Sequence, residues 1–277
     1  MLIRRRLDAA LAPPSSPLVP FMVDGAVAGR ITADRVTRLT ELADVFSVRD
    51  AIEFVADLVT PEARSNAMAT VAVQLAAEGA LTAWRGERYA VAPSFGATPW
   101  FELERAAARY FGIHTYAAHV NGLVRTNSGV AMWLARRSPA KSIDPGMLDN
   151  LVGGGIAKGL SVAQTVVKES WEEAGIEAAL AATASAVGEI TLMREGRDGI
   201  QHETVFVHDL WLDADFVPAN QDGEAVAHRL VPLEEVAQIL AIDAGPDAMT
   251  VDATLVALDC LERLGVLPTP PRERFPA

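Results

Sequence analysis

The sequence predicts an α/β protein: an α/β/α sandwich with a mixed sheet, preceded by a smaller α+β domain. Three observations carry this prediction. From Tyr116 onward, short apolar runs separated by turn clusters replace helical periodicity, and helical patterns flank those runs. Before Gly112, two long helical patterns are interleaved with brief strand-like stretches. Half of the 277 residues are hydrophobic, enough for a large core or two ordinary ones. The division falls at residues 113/114, giving an N-terminal domain 1–113 and a C-terminal domain 114–277.

Arg4, Arg5 and Arg6 resemble the start of a signal peptide, but Asp8 and Pro13-Pro14 intervene where an apolar stretch would be needed, so a short amphipathic helix is expected. Two apolar runs flank Asp24-Gly25, a hairpin signal. A helix is predicted from Ala33, and Phe46–Val48 is brief and apolar. Pro61 opens a helix that runs to about Glu78, with Met68, Val71, Ala72 and Leu75 on its inner face. Trp84–Val91 reads as a strand ended by Pro93, and Phe101–Tyr110 as a helix closed by Phe111-Gly112. Arg85, Glu87 and Arg88, beside Trp84 and Tyr89, read as an ion-paired strand, with an anion or ring site as the alternative.

In the C-terminal domain, Ala118–Arg125 and Val130–Arg136 are predicted to pair around the turn Thr126–Gly129. Pro145-Gly146 is a second turn, and Leu148–Val152 leads into a glycine loop. Val187–Arg194, Thr204–Leu212 and Val226–Pro232 are strands. Leu233–Ile242 and Thr250–Leu264 are helices, with a proline-rich tail from Pro268. His119 is expected to stabilise a turn, Cys260 to be core, and the five histidines do not form a zinc pattern.

The stretch with chemical content is GGIAKGLSVAQTVVKESWEEAGI, Gly154–Ile176. Glu169, Glu172 and Glu173 are spaced i, i+3, i+4 and share one helix face. Like charges there repel, and a hard divalent cation with a preference for carboxylate oxygen removes the penalty. Ser161 and Gln164 form a capping box, and Gly175 suits the left-handed closing position. Gly153, Gly154, Gly155 and Gly159 precede the helix as a loop of unusual backbone freedom.

This stretch resembles the Nudix box: Gly, five residues, Glu, seven residues, Arg-Glu, an apolar residue, any residue, Glu-Glu, any residue, Gly, an apolar residue. Gly154, Glu169, Glu172, Glu173, Gly175 and Ile176 match in register, while Leu160 stands for the first Glu, Lys168 for Arg and Ser170 for the apolar residue. HVNGLVR (His119–Arg125), Ala135–Ile156 and DFVPANQDGEA (Asp215–Ala225) are similar to a branch of Nudix proteins related to thiamine pyrophosphokinase. FMVDGAVAGRI (Phe21–Ile31) and WRGERYAV (Trp84–Val91) are similar to that branch's N-terminal domain. The resemblance implies hydrolysis of a diphosphate to a monophosphate, with thiamine diphosphate or its oxidised forms as substrate. It implies Mg²⁺ or Mn²⁺ on Glu169 and Glu173, with Glu172 as a third ligand, directly or through water.

The base that orients the attacking water is Glu172 or Glu224, the latter on the loop Asn220–Glu224. The Gly153–Gly155 backbone is expected at the phosphates, with Arg136 and Lys141 as substrate contacts and Arg137 as a solvated strand end. ADP-ribose or nucleotide sugars are alternative substrates, and a non-catalytic Nudix-fold binding protein is the alternative class, motivated by Leu160 and Lys168. The N-terminal domain is a candidate specificity or homodimerisation unit.

The formal charge of −12 and pI near 4.9 argue against non-specific nucleic-acid or anionic-membrane binding. No apolar run reaches the length of a membrane span. Cys260 is the single cysteine, so no intrachain disulfide forms, which fits a cytoplasmic setting.

Overall fold

A computed structural model describes residues 2–269; the proline-rich tail beyond residue 269 lies outside the described residues. In chain order, α1 (Leu2–Ala10) precedes the hairpin β1 (Leu18–Val23) and β2 (Ala26–Thr32), then α2 (Ala33–Thr40), β3 (Phe46–Val48), β4 (Ile52–Phe54) and α3 (Pro61–Ala77). The β1–β2 turn follows from Asp24 and Gly25, both left-handed, with φ 48° and 80°. A two-residue turn of that kind matches the twist of paired strands. Asp24 has a second task, accepting two bonds from the guanidinium of the buried Arg64 at 3.0 and 2.6 Å, while Arg64 Nε donates to Leu58 O at 2.8 Å. Helix α3 starts as expected: Thr60 accepts from Ala63 N at 3.1 Å and Pro61 occupies the first turn, where its missing N–H costs nothing. Its predicted inner face, Met68, Val71, Ala72 and Leu75, is fully buried. It packs into one aromatic core with Phe21, Phe46, Phe101 and Phe111. Each such side chain contributes about 1.5–3 kcal/mol on burial.

Two strands complete this region: β5 (Arg88–Val91) and β6 (Phe101–Glu104). The predicted helix Phe101–Tyr110 is therefore wrong over its first half. Phe101 and Leu103 alternate inward, paired antiparallel with Val91 and Tyr89, and only Arg105–Ala107 forms a single 3₁₀ turn. The strand predicted from Trp84 begins only at Arg88. The short β4 was missed, because its pairing with β1 is parallel and comes from far along the chain.

The larger sheet contains β7 (His114–Thr126), β8 (Gly129–Arg137), β9 (Leu148–Asn150), β10 (Val152–Gly155), β11 (Ser185–Gly196), β12 (Gly199–Leu212) and β13 (Ala225–Pro232). The order is β11-β12-β7-β8-β13, with β10 added to β7 and β9 to β8. β12 runs parallel to β7 and the other pairs are antiparallel, so the sheet is mixed as predicted. Alternation along β7 sends Ala118, Val120 and Val124 to one face, under α4 (Val162–Ala174) and the short α5 (Ala178–Ala181). It sends Ala117 and Leu123 to the other face, under α6 (Leu233–Ile239) and α7 (Val251–Arg263). This is the α/β/α sandwich. Cys260 lies in its core, fully buried, which pushes its thiol up to about 12.

The two regions are joined by backbone. Gly29 bridges to Ile113, Arg30 N donates to Gly112 O at 3.2 Å, and Ile200 N donates to Arg109 O at 2.9 Å. Gly112 has φ 57°, and a Cβ there would collide with the Arg30 carbonyl, so glycine is required by both conformation and space. Helix α1 crosses the predicted division. Its Arg6 donates to Leu240 O at 3.0 Å and to Thr254 Oγ1 at 3.1 Å, and Leu7 packs with Val205 and Leu255 of the sandwich.

His114 and His202 stack on neighbouring β7 and β12 with centroids 4.0 Å apart and planes 9° apart. Burial, then the charges of His114 and Arg30, lowers His202 to about 4. An unfolded histidine titrates near ~6.5. The unfolded chain therefore takes the proton first, and stability present above pH ~6.5 is lost as pH falls to about 4. After discounting for partial solvent screening, the loss is on the order of 1–2 kcal/mol. In acid titrations of melting temperature, native protein should fall more steeply over this window than His202→Phe; parallel curves would refute the assignment.

Candidate active site

Helix α4 carries the carboxylates, and its ends are those the sequence predicts. Ser161 accepts from Gln164 N at 3.2 Å while the Gln164 side chain accepts from Ser161 N at 2.9 Å. Gly175 closes the helix at φ 65°, its N–H bonded to Trp171 O at 2.9 Å. The helix lies against β10, where the glycines act otherwise than expected. Gly153, Gly154 and Gly155 are not a loop but a strand, paired with His119, Ala118 and Ala117 of β7, and only Gly159 has positive φ, 83°. They are glycine because other side chains occupy their Cβ positions. A Cβ on Gly154 would sit 2.6 Å from Glu169 Oε2, one on Gly153 would sit 2.9 Å from His119 Cε1, and one on Gly155 would meet the Tyr89 hydroxyl.

The three glutamates occupy distinct environments. Glu173 is buried, 8% exposed, and accepts from Gly153 N at 2.8 Å. Desolvation raises it to about 8, the Gly153 bond opposing and the charge of Asp149 adding to the rise. Glu169 is also raised, first by burial. Lys168 reaches both Glu169 Oε1 at 2.9 Å and Glu172 Oε2 at 2.6 Å. Burial opposes its charge, but those two bonds hold the ammonium above its ordinary value. Among the described residues, no group of three or more His, Cys, Asp or Glu side chains converges as a metal cage. The donor set nevertheless suits a hard cation: all oxygens, two of them already on an ammonium, and a third buried without a cation of its own.

Glu224 sits across from Glu173. Desolvation pushes it up, but the bonds and charges of Lys141 and Arg85 prevail and hold it at about 2. A carboxylate so stabilised is a weak base. Between Glu173 and Glu224 lies a cavity of about 10 Å³, also lined by Arg137, Lys141, Asp149 and Asn150; it has room for about one water. Arg137 donates to Asp149 Oδ2 at 2.7 Å and to the Ile143 and Asp144 carbonyls at 2.9 and 3.1 Å.

Arg136 points away. It donates to Gly146 O at 2.9 Å, to Pro246 O, and to Asp247 Oδ1 at 2.6 Å, on the other side of the sheet. The expected assignment is thus reversed: Arg137 lines the site, Arg136 does not. Successive strand residues face opposite sides, and only the β8–β13 register, with Arg137 opposite Ala225 beside Glu224, says which side is which. His119 likewise supports no turn. It is buried on β7 and bonds Asn150 Oδ1 at 2.8 Å through Nδ1.

Two family models match the chain: a domain of unknown function (DUF4743) over residues 10–115, and a NUDIX domain over residues 115–252. Nudix hydrolase 24, chloroplastic, of Arabidopsis thaliana is 38% identical over 252 residues, covering 90% of this chain and 68% of that protein. The chain belongs to the Nudix hydrolase family. Nudix hydrolase 20, chloroplastic, of the same plant is 38% identical over 259 residues, covering 90% of this chain and 68% of that protein. An uncharacterised protein of Saccharomyces cerevisiae is 34% identical over 227 residues, covering 76% of this chain and 64% of its own.

For a Nudix hydrolase the site has an additional contributor. The N-terminal region supplies Arg85 to Glu224 and Tyr89 to Gly155. The other two charges of the predicted ion-paired strand are also paired, Arg88 with Glu102 at 3.3 Å and Glu87 with Arg105 at 2.7 Å. Asp149 and Arg105 were missed by sequence reasoning, since neither belongs to a spaced motif. Among the described residues, no helix is long and apolar enough to cross a membrane.

Proposed function

We propose that this Nudix hydrolase cleaves a diphosphate linkage with Mg²⁺ or Mn²⁺ and releases a monophosphate, acting on thiamine diphosphate or its oxidised analogues. The observation that carries the chemistry is the α4 face, where Lys168 holds the place of a cation between Glu169 and Glu172 and Glu173 is buried 2.8 Å from Gly153 N. Glu169, Glu172 and Glu173 would hold the metal. When bound, a divalent cation supplies neutralisation of charge developing on diphosphate oxygens. The chain's own cations, Lys141 and Arg137, face the same space and bind phosphate oxygens, while Arg136 is withdrawn from that role. The Gly153–Gly155 strand keeps the helix carboxylates close rather than cradling phosphate. Glu172 serves as the base while Glu224 is held by Lys141 and Arg85; phosphate that draws those cations away would free Glu224.

The substrate assignment is supported by the segments His119–Arg125, Ala135–Ile156 and Asp215–Ala225 and by their likeness to the thiamine pyrophosphokinase-related branch. The chain divides functionally at residues 113/114, the N-terminal unit serving specificity or homodimerisation, in a cytoplasmic setting consistent with one buried free cysteine. A phosphate-release panel with thiamine diphosphate, its oxidised analogues and ADP-ribose tests the substrate, each with Mg²⁺ and Mn²⁺. Preference for ADP-ribose would move the assignment to nucleotide substrates.

The Lys168 bridge also favours a second reading, a binding protein whose carboxylates are neutralised internally. Leu160 separates the two. It sits half-buried just before the Ser161 cap, its N–H on Ala157 O at 3.1 Å. Leu160→Glu should change turnover by less than about tenfold, one tenfold step being ~1.4 kcal/mol of barrier. A gain of several orders of magnitude would show that the natural chain is not a working hydrolase.

A further inference from the structure

Between the N-terminal region and the catalytic sandwich lies a cavity of about 120 Å³. Arg85, Arg105 and Arg109 line it from one side, Arg137 and Lys141 from the other, against two lining carboxylate residues, Asp198 and Glu203. The lining itself is thus rich in cations, in a chain whose net charge is −12, with further carboxylates placed behind it. Four of the five cations are paired: Arg105 with Glu87, Arg137 with Asp149, and Arg85 and Lys141 with the single carboxylate of Glu224. Glu203 is committed elsewhere, accepting from Thr115 Oγ1 at 3.2 Å and Gln201 Nε2 at 3.0 Å. Arg109, a half-buried residue, has no carboxylate within ion-pair distance and its side chain donates no hydrogen bond among the described residues. A guanidinium that lines the cavity with no protein acceptor can give its donors to an anionic guest in charge-assisted bonds.

We propose that this cavity, built jointly by the N-terminal region and the catalytic domain, binds a phosphate group of the diphosphate substrate through Arg109, with Arg105, Arg85 and Lys141 around it. The inference rests on the diphosphohydrolase reading above and specifies what the N-terminal region contributes to it. The size selects the guest: about 120 Å³ is well below the ~300–1,000 Å³ of pockets for drug-sized ligands, so an anionic group enters and the organic half stays outside. Lys141 and Arg137 line both this cavity and the small one beside Glu173, so one diphosphate can span the two. Tyr89 is not available for ring stacking here. It is buried, with Arg105 5.8 Å from its ring centroid. The region's contribution is charge rather than an aromatic platform.

The test is calorimetric titration of the full chain with inorganic pyrophosphate in the presence of a metal chelator, which needs neither metal nor turnover. Arg109→Gln should weaken binding about tenfold, the scale of one charge-assisted hydrogen bond. Its melting temperature should hold, because the side chain makes no bond to lose. Thr82→Glu, at the exposed rim, should weaken binding by like-charge repulsion, and Arg229→Gln, in a separate surface pair with Glu235, should leave it unchanged. With a hydrolysed diphosphate, Arg109→Gln should raise KM and keep kcat. Equal pyrophosphate affinity of native and Arg109→Gln, or no binding by the folded native chain, overturns the inference even if hydrolysis is robust. Binding lost in Arg109→Gln by a chain that hydrolyses no diphosphate supports the cavity and fails only the enzymatic reading.

Discussion

Glu173→Gln is expected to lower metal-dependent turnover by about 10²–10³-fold, the loss seen when one preorganised electrostatic partner is removed from an active site. The substitution keeps the shape, and the amide oxygen can still accept from Gly153 N, which Glu173 meets at 2.8 Å. What disappears is the negative charge offered to the cation. Stability should move the other way. Without metal, Glu173 titrates at about 8, raised by burial, whereas an unfolded glutamate titrates near ~4.3. Between those values the folded chain holds a proton that the unfolded chain has released, so native stability falls as pH rises from ~4.3 to about 8. Glutamine has nothing to ionise. Metal-free Glu173→Gln should therefore be more stable than native protein at pH 8, by on the order of a few kcal/mol, and the difference should vanish near pH 4. Retained turnover at low Mg²⁺ would remove Glu173 from the metal set. A melting difference independent of pH would remove the buried-charge explanation.

Gly154→Ala is expected to cost about 10²-fold in turnover, as a displacement of roughly 1 Å in a positioned group can, while leaving the fold intact. The added methyl falls on the Glu169 carboxylate, 2.6 Å from its Oε2. That group is the free end of a flexible side chain, so it moves and the helix does not. Gly154 lies in strand β10 without positive φ, so alanine meets no backbone strain. Circular dichroism and melting temperature should match the native chain, with the loss confined to kcat and apparent metal affinity. Native turnover would show that Glu169 can leave its place over Gly154 without consequence. An unfolded variant would mean that the contact is structural.

Both substitutions fall on residues visible in the sequence, but the structure gives Gly154 a different role from the one read there. The Glu169/Glu172/Glu173 face, the Ser161–Gln164 cap and the Gly175 stop are set by interactions within four residues along one helix, so spacing alone specifies them. The glycine run was equally visible, but its cause was not. Freedom of φ is a local property, whereas closeness to Glu169, His119 and Tyr89 depends on side chains from three distant elements. Phe101–Tyr110 failed for the same kind of reason. Its apolar spacing fits a helix or a strand, and the partner that decides, Arg88–Val91, is supplied by a hairpin.

The sequence by itself determined the sandwich and the acidic helix, because caps, turn residues and periodicity act over a few positions; the family came from the resemblance of Gly154–Ile176 to the Nudix box. Only the tertiary structure decided which charges meet. Strand side chains alternate, so whether Arg136 or Arg137 enters the site depends on the register of β8 against β13. Ionisation depends on burial and neighbours. That is why Glu173 is driven up to about 8 and Glu224, clasped by Lys141 and by Arg85 from 139 residues away, is driven down to about 2. The placement of α1 on the sandwich, and of Arg109 and Lys141 around one cavity, likewise comes from packing between segments far apart in the chain.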